Sequence, residues 1–194
     1  MYKLVFLRHG ESEWNLKNRF TGWTDVGLTK KGCSEALDAG KLIKEEKLKF
    51  TTIYTSVLKR AIYTMEICLK EISQKNISIK YDWRLNERHY GKLQGFNKKE
   101  MALKFGDEKV LSWRRSYDLQ PPPLSLNDKR HPRFDKKYSK LNPSQLPTSE
   151  SLKDTEARVL PFWKEHIAKS ILNNKKVLIV AHGNSIRALI KYLD

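Results

Sequence analysis

Two stretches set the same reactive side chain after the same kind of segment. "LVFLRHGES" ends an apolar run in His9 and Gly10, and "VLIVAHGNS" ends another in His182 and Gly183. Packing alone gives no reason for a buried strand to stop at an imidazole and a hinge. One His-Gly is a turn that carries a histidine by chance. Two of them, each followed by a polar residue and a serine expected to cap a helix, argue for a site. Each glycine lets the backbone approach a ligand and frees N–H groups for an anion. If the two strands are neighbours, His9 and His182 meet beyond the carboxyl ends of a sheet, where open α/β sheets bind ligands.

Two imidazoles suit phosphoryl transfer. One attacks as a neutral nucleophile and carries the phosphoryl group, while the other donates hydrogen bonds or charge to the transferring oxygens. Beyond that, the reaction needs in-line placement and cations around the equatorial oxygens. Arg8 adjoins His9 and offers a forked grip on phosphate. Arg60 falls in the first turn after Ser56, where a helix N-terminus favours anions. "WRR" adds Arg114 and Arg115. Singly, each arginine reads as a surface charge. Brought together they need a common anion, because like charges roughly 4 Å apart repel by about 4 kcal/mol at an effective dielectric near 20. The leaving oxygen also needs a proton donor, and Glu87 in "NERHYG" is the best candidate. A structural ion pair of Glu87 with Arg88 or Arg84 is an equal alternative at this point.

The elements that must position these groups follow from the pattern of apolar residues. Residues 2–7 read as a strand buried on both faces. Thr29 caps a helix through about Lys47, with Ala36, Leu37, Gly40 and Ile43 facing inward. "FTTIYTS" is a second strand, after which Ser56 caps a helix carrying Ala61, Met65, Leu69 and Ile72. "ISIKYDW" is a third. An insertion spans about 85–148, with short helices near Lys98–Phe105 and Asp107–Tyr117. Its proline-rich and charged remainder is long enough to be a lid or binding loop. A helical pattern returns near Ser149, and Pro161 is expected to kink it. "KKVLIVA" is the strongest strand, and a helix begins in "HGNSIRALIKYLD". Alternating strands and helices predict a three-layer α/β fold. Its mostly parallel sheet is covered by helices, and the helical and loop insertion lies over the strand C-terminal ends. All of 1–194 forms one domain. Nucleotide-binding glycine loops, a G-x-S-x-G elbow and H-E-x-x-H are all absent.

The 194 residues carry a formal net charge of +16, which favours anionic partners, although a lysine-rich drift in composition accounts for part of it. Charge and five tryptophans raise a nucleic-acid-binding module, but the lysines are scattered and no such signature occurs. No apolar run is long enough to span a bilayer, and Arg8 cuts off the apolar start too early for a secretory signal. The expected location is therefore cytoplasmic. Cys33 and Cys68 have neither CxxC nor zinc spacing, and read as reduced thiols filling helix faces.

"LRHGESEWN", "FTGWTDV", "TSVLKRAI", "RLNERHYG", "LQGFNK", "WRRSYD" and "AHGNSIRALIKYLD" closely resemble the cofactor-dependent phosphoglycerate mutases of the histidine phosphatase superfamily. The RHG element marks the superfamily, whereas "NERHYG" and "WRR" point to the mutase branch. The resemblance implies that 2,3-bisphosphoglycerate phosphorylates His9, that Glu87 gives and takes the proton, and that His182 stabilises the transition state. It implies a phosphate and carboxylate pocket lined by Arg8, Ser12, Asn15, Thr21, Gly22, Arg60 and Arg88, together with Tyr90, Lys98, Arg114, Arg115, Gly183 and Asn184. The reaction would interconvert 3-phosphoglycerate and 2-phosphoglycerate in glycolysis and gluconeogenesis. It would need no metal. Partners would be phosphorylated three-carbon acids and further copies of the chain in a homodimer or homotetramer, with neither nucleic acid nor membrane. Members of the family continue past "KYLD" through a further edge strand and a mobile tail, both missing here. That departure implies leakage to water, with two alternatives: bisphosphoglycerate phosphatase or synthase activity at the same site, or an inactive truncated copy.

Overall fold

The computed structural model describes residues 4–194. In chain order the elements are β1 (Leu4–Arg8), α1 (Glu13–Leu16), α2 (Lys30–Glu45), β2 (Thr52–Thr55), α3 (Lys59–Ile72) and β3 (Ser78–Tyr81). They continue with α4 (Lys98–Phe105), α5 (Asp107–Arg115), α6 (Leu152–Phe162), α7 (Ala168–Leu172), β4 (Val177–Ala181) and α8 (Gly183–Leu193). The four strands form a parallel sheet in the order β1-β4-β2-β3. Helices cover both faces, as the alternating pattern predicts.

The residues of β4 sort by parity, as strand geometry requires. Val177, Ile179 and Ala181 pack with Phe162, Trp163, Ile167 and Leu189 on the α6 and α8 side. Leu178 and Val180 pack with Ile43, Phe50 and Met65 on the α2 and α3 side. Burying each large aliphatic side chain contributes about 1.5–3 kcal/mol, so this strand is the anchor of the molecule. A separate apolar cluster of Phe20, Leu93, Met101, Val110 and Trp113 holds α4 and α5 against the 20s segment.

One register decides the site. Arg8 pairs with Ala181, and the His9 N–H extends the ladder by donating to the Ala181 carbonyl at 3.1 Å. β1 and β4 therefore end level, and the two His-Gly steps leave the sheet side by side.

Several expectations need correction. The first strand begins at Leu4 within the described residues and runs on to Arg8, and residues 2 and 3 of the expected strand lie outside them. Leu37 is only half-buried, and Gly32 takes the remaining inward place on α2. Ser56 does not cap α3, whose N-cap is Leu58 without a side-chain bond, because the Ser56 hydroxyl is drawn to His182. Ser185 is not the N-cap of α8, which is His182, but it helps to cap the helix from the third position, where its Oγ accepts the His182 N–H at 3.2 Å. The helix expected to reach Tyr117 stops at Arg115. Pro161 sits inside α6, next to its last residue. Lacking an N–H, it cannot donate within the helix, and a π turn at Trp163–Ile167 follows, leading into α7. The Tyr54 hydroxyl donates to the His166 carbonyl of that turn at 3.0 Å. Cys68 is buried, but Cys33 is exposed on α2 and fills no face. The proline-rich stretch is ordered into short 3-10 turns at Pro132–Phe134, Lys136–Tyr138 and Pro143–Gln145. Among the described residues no helix is long and apolar enough to cross a membrane.

Candidate active site

His9 is almost fully buried, and the backbone that follows fixes its ring. Nδ1 lies 2.7 Å from the Gly10 carbonyl oxygen, which can only accept, so the network assigns the proton to Nδ1 and leaves a bare lone pair on Nε2. Burial first, then the Arg60 and Arg8 charges, hold its pKa down to about 3 against an ordinary 6.5, with the Gly10 carbonyl opposing. The imidazole is therefore neutral at ordinary pH and presents Nε2 as a nucleophile. Gly10 is needed for a different reason from the expected one. A Cβ there would overlap the Gly32 carbonyl of α2, and its N–H is already spent on Thr64 Oγ1 at 3.1 Å. Only the second glycine, Gly183, lines the cavity.

His182 stands behind His9, with ring centroids 4.9 Å apart and planes at 59°. It is fully buried. Ser56 Oγ accepts the Leu58 N–H at 3.3 Å and lies 2.7 Å from His182 Nε2. That contact can run either way, because the Ser56 oxygen keeps a second lone pair as well as its own proton, and His182 Nδ1 has no hydrogen-bond partner among the described residues. Burial, Arg60 and His9 together push the His182 pKa well below the usual value, so this ring too is neutral.

Basic side chains converge above the pair. The cavity, of about 200 Å³, is lined by Arg8, Arg19, Arg60, Lys98, Arg114, Arg115 and Arg187, with Glu87 as the one acid among its lining residues. Arg60 reaches across from the start of α3 to donate to the Gly22 carbonyl at 2.8 Å and the Thr24 carbonyl at 3.0 Å. Burial lowers its pKa to about 10, with Glu87 the strongest opposing charge. It stays charged at neutral pH. Lys98 is also lowered, by burial and then by Arg114 and Arg8. The cluster thus repels itself, as expected of a site built for an anion.

Glu87 resolves the alternative left open by the sequence. Its Oε1 accepts from the Arg88 N–H at 2.8 Å, the Asn184 N–H at 3.2 Å and Asn184 Nδ2 at 2.8 Å. Neither arginine forms an ion pair with it. Arg84 bonds Asp82 at 2.9 Å, and Arg88 donates to the Arg114 carbonyl and the Tyr90 hydroxyl. The backbone beneath Glu87 is clamped by Arg158 of α6. Its guanidinium donates to the carbonyls of Arg84 (2.6 Å), Asn86 (3.0 Å) and Glu87 (2.9 Å) while pairing with Glu150 at 2.6 Å.

Of the residues expected at the site, Arg8, His9, Asn15, Thr21, Gly22, Arg60 and Glu87 line this one cavity, as do Tyr90, Lys98, Arg114, Arg115, Gly183 and Asn184. Ser12, Arg88 and His182 do not. Ser12 caps α1, and its N–H and hydroxyl both hold Asn15 Oδ1. Arg88 is buried with its guanidinium over the Tyr90 ring at 4.9 Å. His182 lies against His9, outside the cavity lining. Three lining residues were missed: Arg19, Phe20 and Arg187. Arg187 lies four residues after Gly183, one helical turn on, and that spacing is a usable signal. Arg158 carried none, since an arginine in "TEARV" reads as a solvated charge.

A sequence profile described as the histidine phosphatase superfamily (branch 1) matches residues 4–129 and 124–194. Among solved structures, a mycobacterial glucosyl-3-phosphoglycerate phosphatase complexed with VO3 is 26% identical with a TM-score of 0.75. The match covers 100% of this chain and 82% of that one. The Bacillus stearothermophilus protein YhfR is 27% identical with a TM-score of 0.65, over 97% of this chain and 78% of that one. A phosphoglycerate mutase from Bacillus anthracis is 23% identical with a TM-score of 0.69, over 98% and 79%, a likeness of fold alone.

Proposed function

The chain belongs to the histidine phosphatase superfamily, branch 1, and on that premise we propose that it is a phosphoglycerate mutase. In this reading it interconverts 3-phosphoglycerate and 2-phosphoglycerate through a phosphorylated His9. The observation that carries the reading is a neutral His9, its Nε2 free, beneath seven cationic side chains and one carboxylate. One phosphate monoester brings a charge of about −2. Seven cations exceed what that needs, and the excess suits a ligand with a second anionic group, as a phosphorylated acid has.

In the proposed reaction His9 Nε2 attacks phosphorus in line with the leaving oxygen. The N–P bond forms and the P–O bond breaks. Arg8 and Arg60 hold the equatorial oxygens, and the His182 imidazole donates to them. Glu87 gives its proton to the departing alkoxide, and in the reverse sense takes one from the hydroxyl that receives the phosphoryl group. Lys98, Arg114 and Arg115 bind the carboxylate and hold the acid while it turns between transfers. The cofactor 2,3-bisphosphoglycerate fits the same cation set, and when bound it supplies the phosphoryl group that primes His9.

A second reading has a specific support. The mycobacterial structure, 26% identical against 23% for the Bacillus anthracis mutase, is a glucosyl-3-phosphoglycerate phosphatase. Under it the same His9 chemistry ends with water as the acceptor. One experiment orders the two. Incubation with labelled 2,3-bisphosphoglycerate is expected to give an acid-labile, alkali-stable phosphoprotein that His9→Ala lacks. Isomerisation and phosphate release are then measured on 3-phosphoglycerate. Release outrunning isomerisation would replace the mutase by the phosphatase, and equal labelling of both proteins would remove both readings.

A further inference from the structure

Glu87 stands on backbone that belongs to no helix or strand. It follows the short 3-10 turn at Trp83–Leu85, and no regular element begins before Gly91. Such backbone has no ladder of its own, so its buried polar groups must find partners elsewhere. Here three of them find one guanidinium. Arg158 gives Nη1 to the Arg84 carbonyl and shares Nη2 between the carbonyls of Asn86 and Glu87. Its other edge pairs with Glu150 at two points, Nε on Oε1 at 2.6 Å and Nη2 on Oε2 at 2.9 Å. Glu150 closes on the far side of Glu87. Its Oε2 accepts the His89 N–H and its own N–H donates to the His89 carbonyl, both at 2.8 Å.

Neither Arg158 nor Glu150 lines the catalytic cavity, and their side chains are only 9% and 4% exposed. Stability is a poor reason to bury such a pair, because well-packed apolar residues of similar volume are often as stable or more so. What an apolar pair lacks is direction. A guanidinium is a rigid planar fork, and this one holds three carbonyls within residues 84–87. The carboxyl end of Glu87 is fixed from a second helix, where Oε1 accepts a backbone and a side-chain N–H of Asn184 in α8. α6 and α8 share one apolar cluster through Val159 and Leu189. Base and tip of Glu87 are thus tied to one packed unit, and Oε2 is left to carry the proton. On the reading that Glu87 protonates the leaving oxygen, we propose that Arg158, held by Glu150, is its positioning residue: the grip on 84–87 sets where the Glu87 carboxyl stands. As the P–O bond breaks, the electron pair stays on the leaving oxygen and takes the Glu87 proton, which leaves a carboxylate behind. Misplacing such a group by about 1 Å costs about a hundredfold in rate.

The test is a double-mutant cycle. Rapid-quench labelling by 2,3-bisphosphoglycerate is followed in the unaltered protein, Arg158→Lys, Glu87→Gln and the double variant. Lysine keeps the charge and loses the fork. Arg158→Lys is expected to slow labelling at saturating ligand by about a hundredfold, with the half-saturating concentration little changed, because Arg158 touches no ligand. In the Glu87→Gln background the same substitution should cost almost nothing, since the proton it positions is gone. A merely structural role would slow both backgrounds alike. Equal losses would therefore overturn the inference and leave the chemistry at His9 standing, as would a Glu87→Gln protein labelled as fast as the unaltered one. No labelling of the unaltered protein would remove the proposed function, and this inference with it. Should Arg158→Lys fail to fold in a thermal melt, Glu150→Gln takes its place in the cycle. It keeps an oxygen for the His89 N–H, loosens Arg158, and should show the same dependence on Glu87 with a smaller loss. Failure of both variants to fold would assign the pair to the fold alone and overturn the inference.

Discussion

The two His-Gly steps begin alike and end in opposite roles. At the end of β1, His9 faces the cavity and is aimed by the carbonyl of its own glycine, whose N–H is used up on α3. At the end of β4, His182 is sealed beneath it and aimed by Ser56 from another strand end, while Gly183 opens to the cavity. One step thus turns its side chain to the cavity and its backbone to the fold. The other turns its glycine to the cavity and sets its imidazole against the first ring. The lesson is that a repeated motif at neighbouring strand ends divides labour rather than doubling it.

His9→Ala should break the comparison most completely. Phosphoenzyme labelling should vanish and turnover fall about ten-thousand-fold or more, as a rapid-quench assay would show. His182→Gln should do something different in kind. Labelling should persist but slow by about a hundred- to a thousand-fold, the cost of one preorganised donor; a loss as complete as that of His9→Ala would mean the two rings are not distinct in role.

The shared neutrality of these rings can be probed by pH. His9 and His89 are held at about 3 and His182 well below its ordinary value. Unfolded, each would protonate near 6.5. Between that pH and about 3 the unfolded chain binds more protons, so stability is fully present above 6.5 and is lost on acidification. The expected slope is about 1 kcal/mol per pH unit for each ring, measured by urea melts at pH 7.5, 6 and 5. A flat profile would contradict their burial as neutral groups.

Smaller effects separate the glycines and the serine. Gly10→Ala should cost about 1–3 kcal/mol in a thermal or urea melt, because the backbone of α2 has no room to yield. Gly183→Ala should cost less than Gly10→Ala, since a Cβ there meets only Arg8 Nε at 3.7 Å and Glu87 Oε2 at 3.9 Å. Ser56→Ala should cost about 1 kcal/mol and slow transfer modestly, by removing the partner that holds His182 Nε2 at 2.7 Å.

Much of this site was legible because its signals are local. Strand ends, the "WRR" run and the caps at Ser12 and Thr29 all follow from neighbours in the chain. What was not legible depended on distant partners. Ser56 looked like a helix cap until His182, across the sheet, claimed its hydroxyl. Nothing near Arg158 in the chain announces the three carbonyls from 84–87 that it binds. Glu87 could not be told from a structural ion pair without the position of Asn184. The π turn after Pro161 likewise depends on Tyr54 of β2 to receive the carbonyl it exposes.

The pairing of Arg8 with Ala181 carries a consequence for how such a site can change. The distance between the two imidazoles is set by ladder rungs, which come in steps of about 3.3 Å and reverse face at each step. No gradual adjustment of that gap is open to the sheet. Variation in what the protein accepts must then arise in the segments arching over the strands, while the pair underneath stays at one spacing or fails altogether.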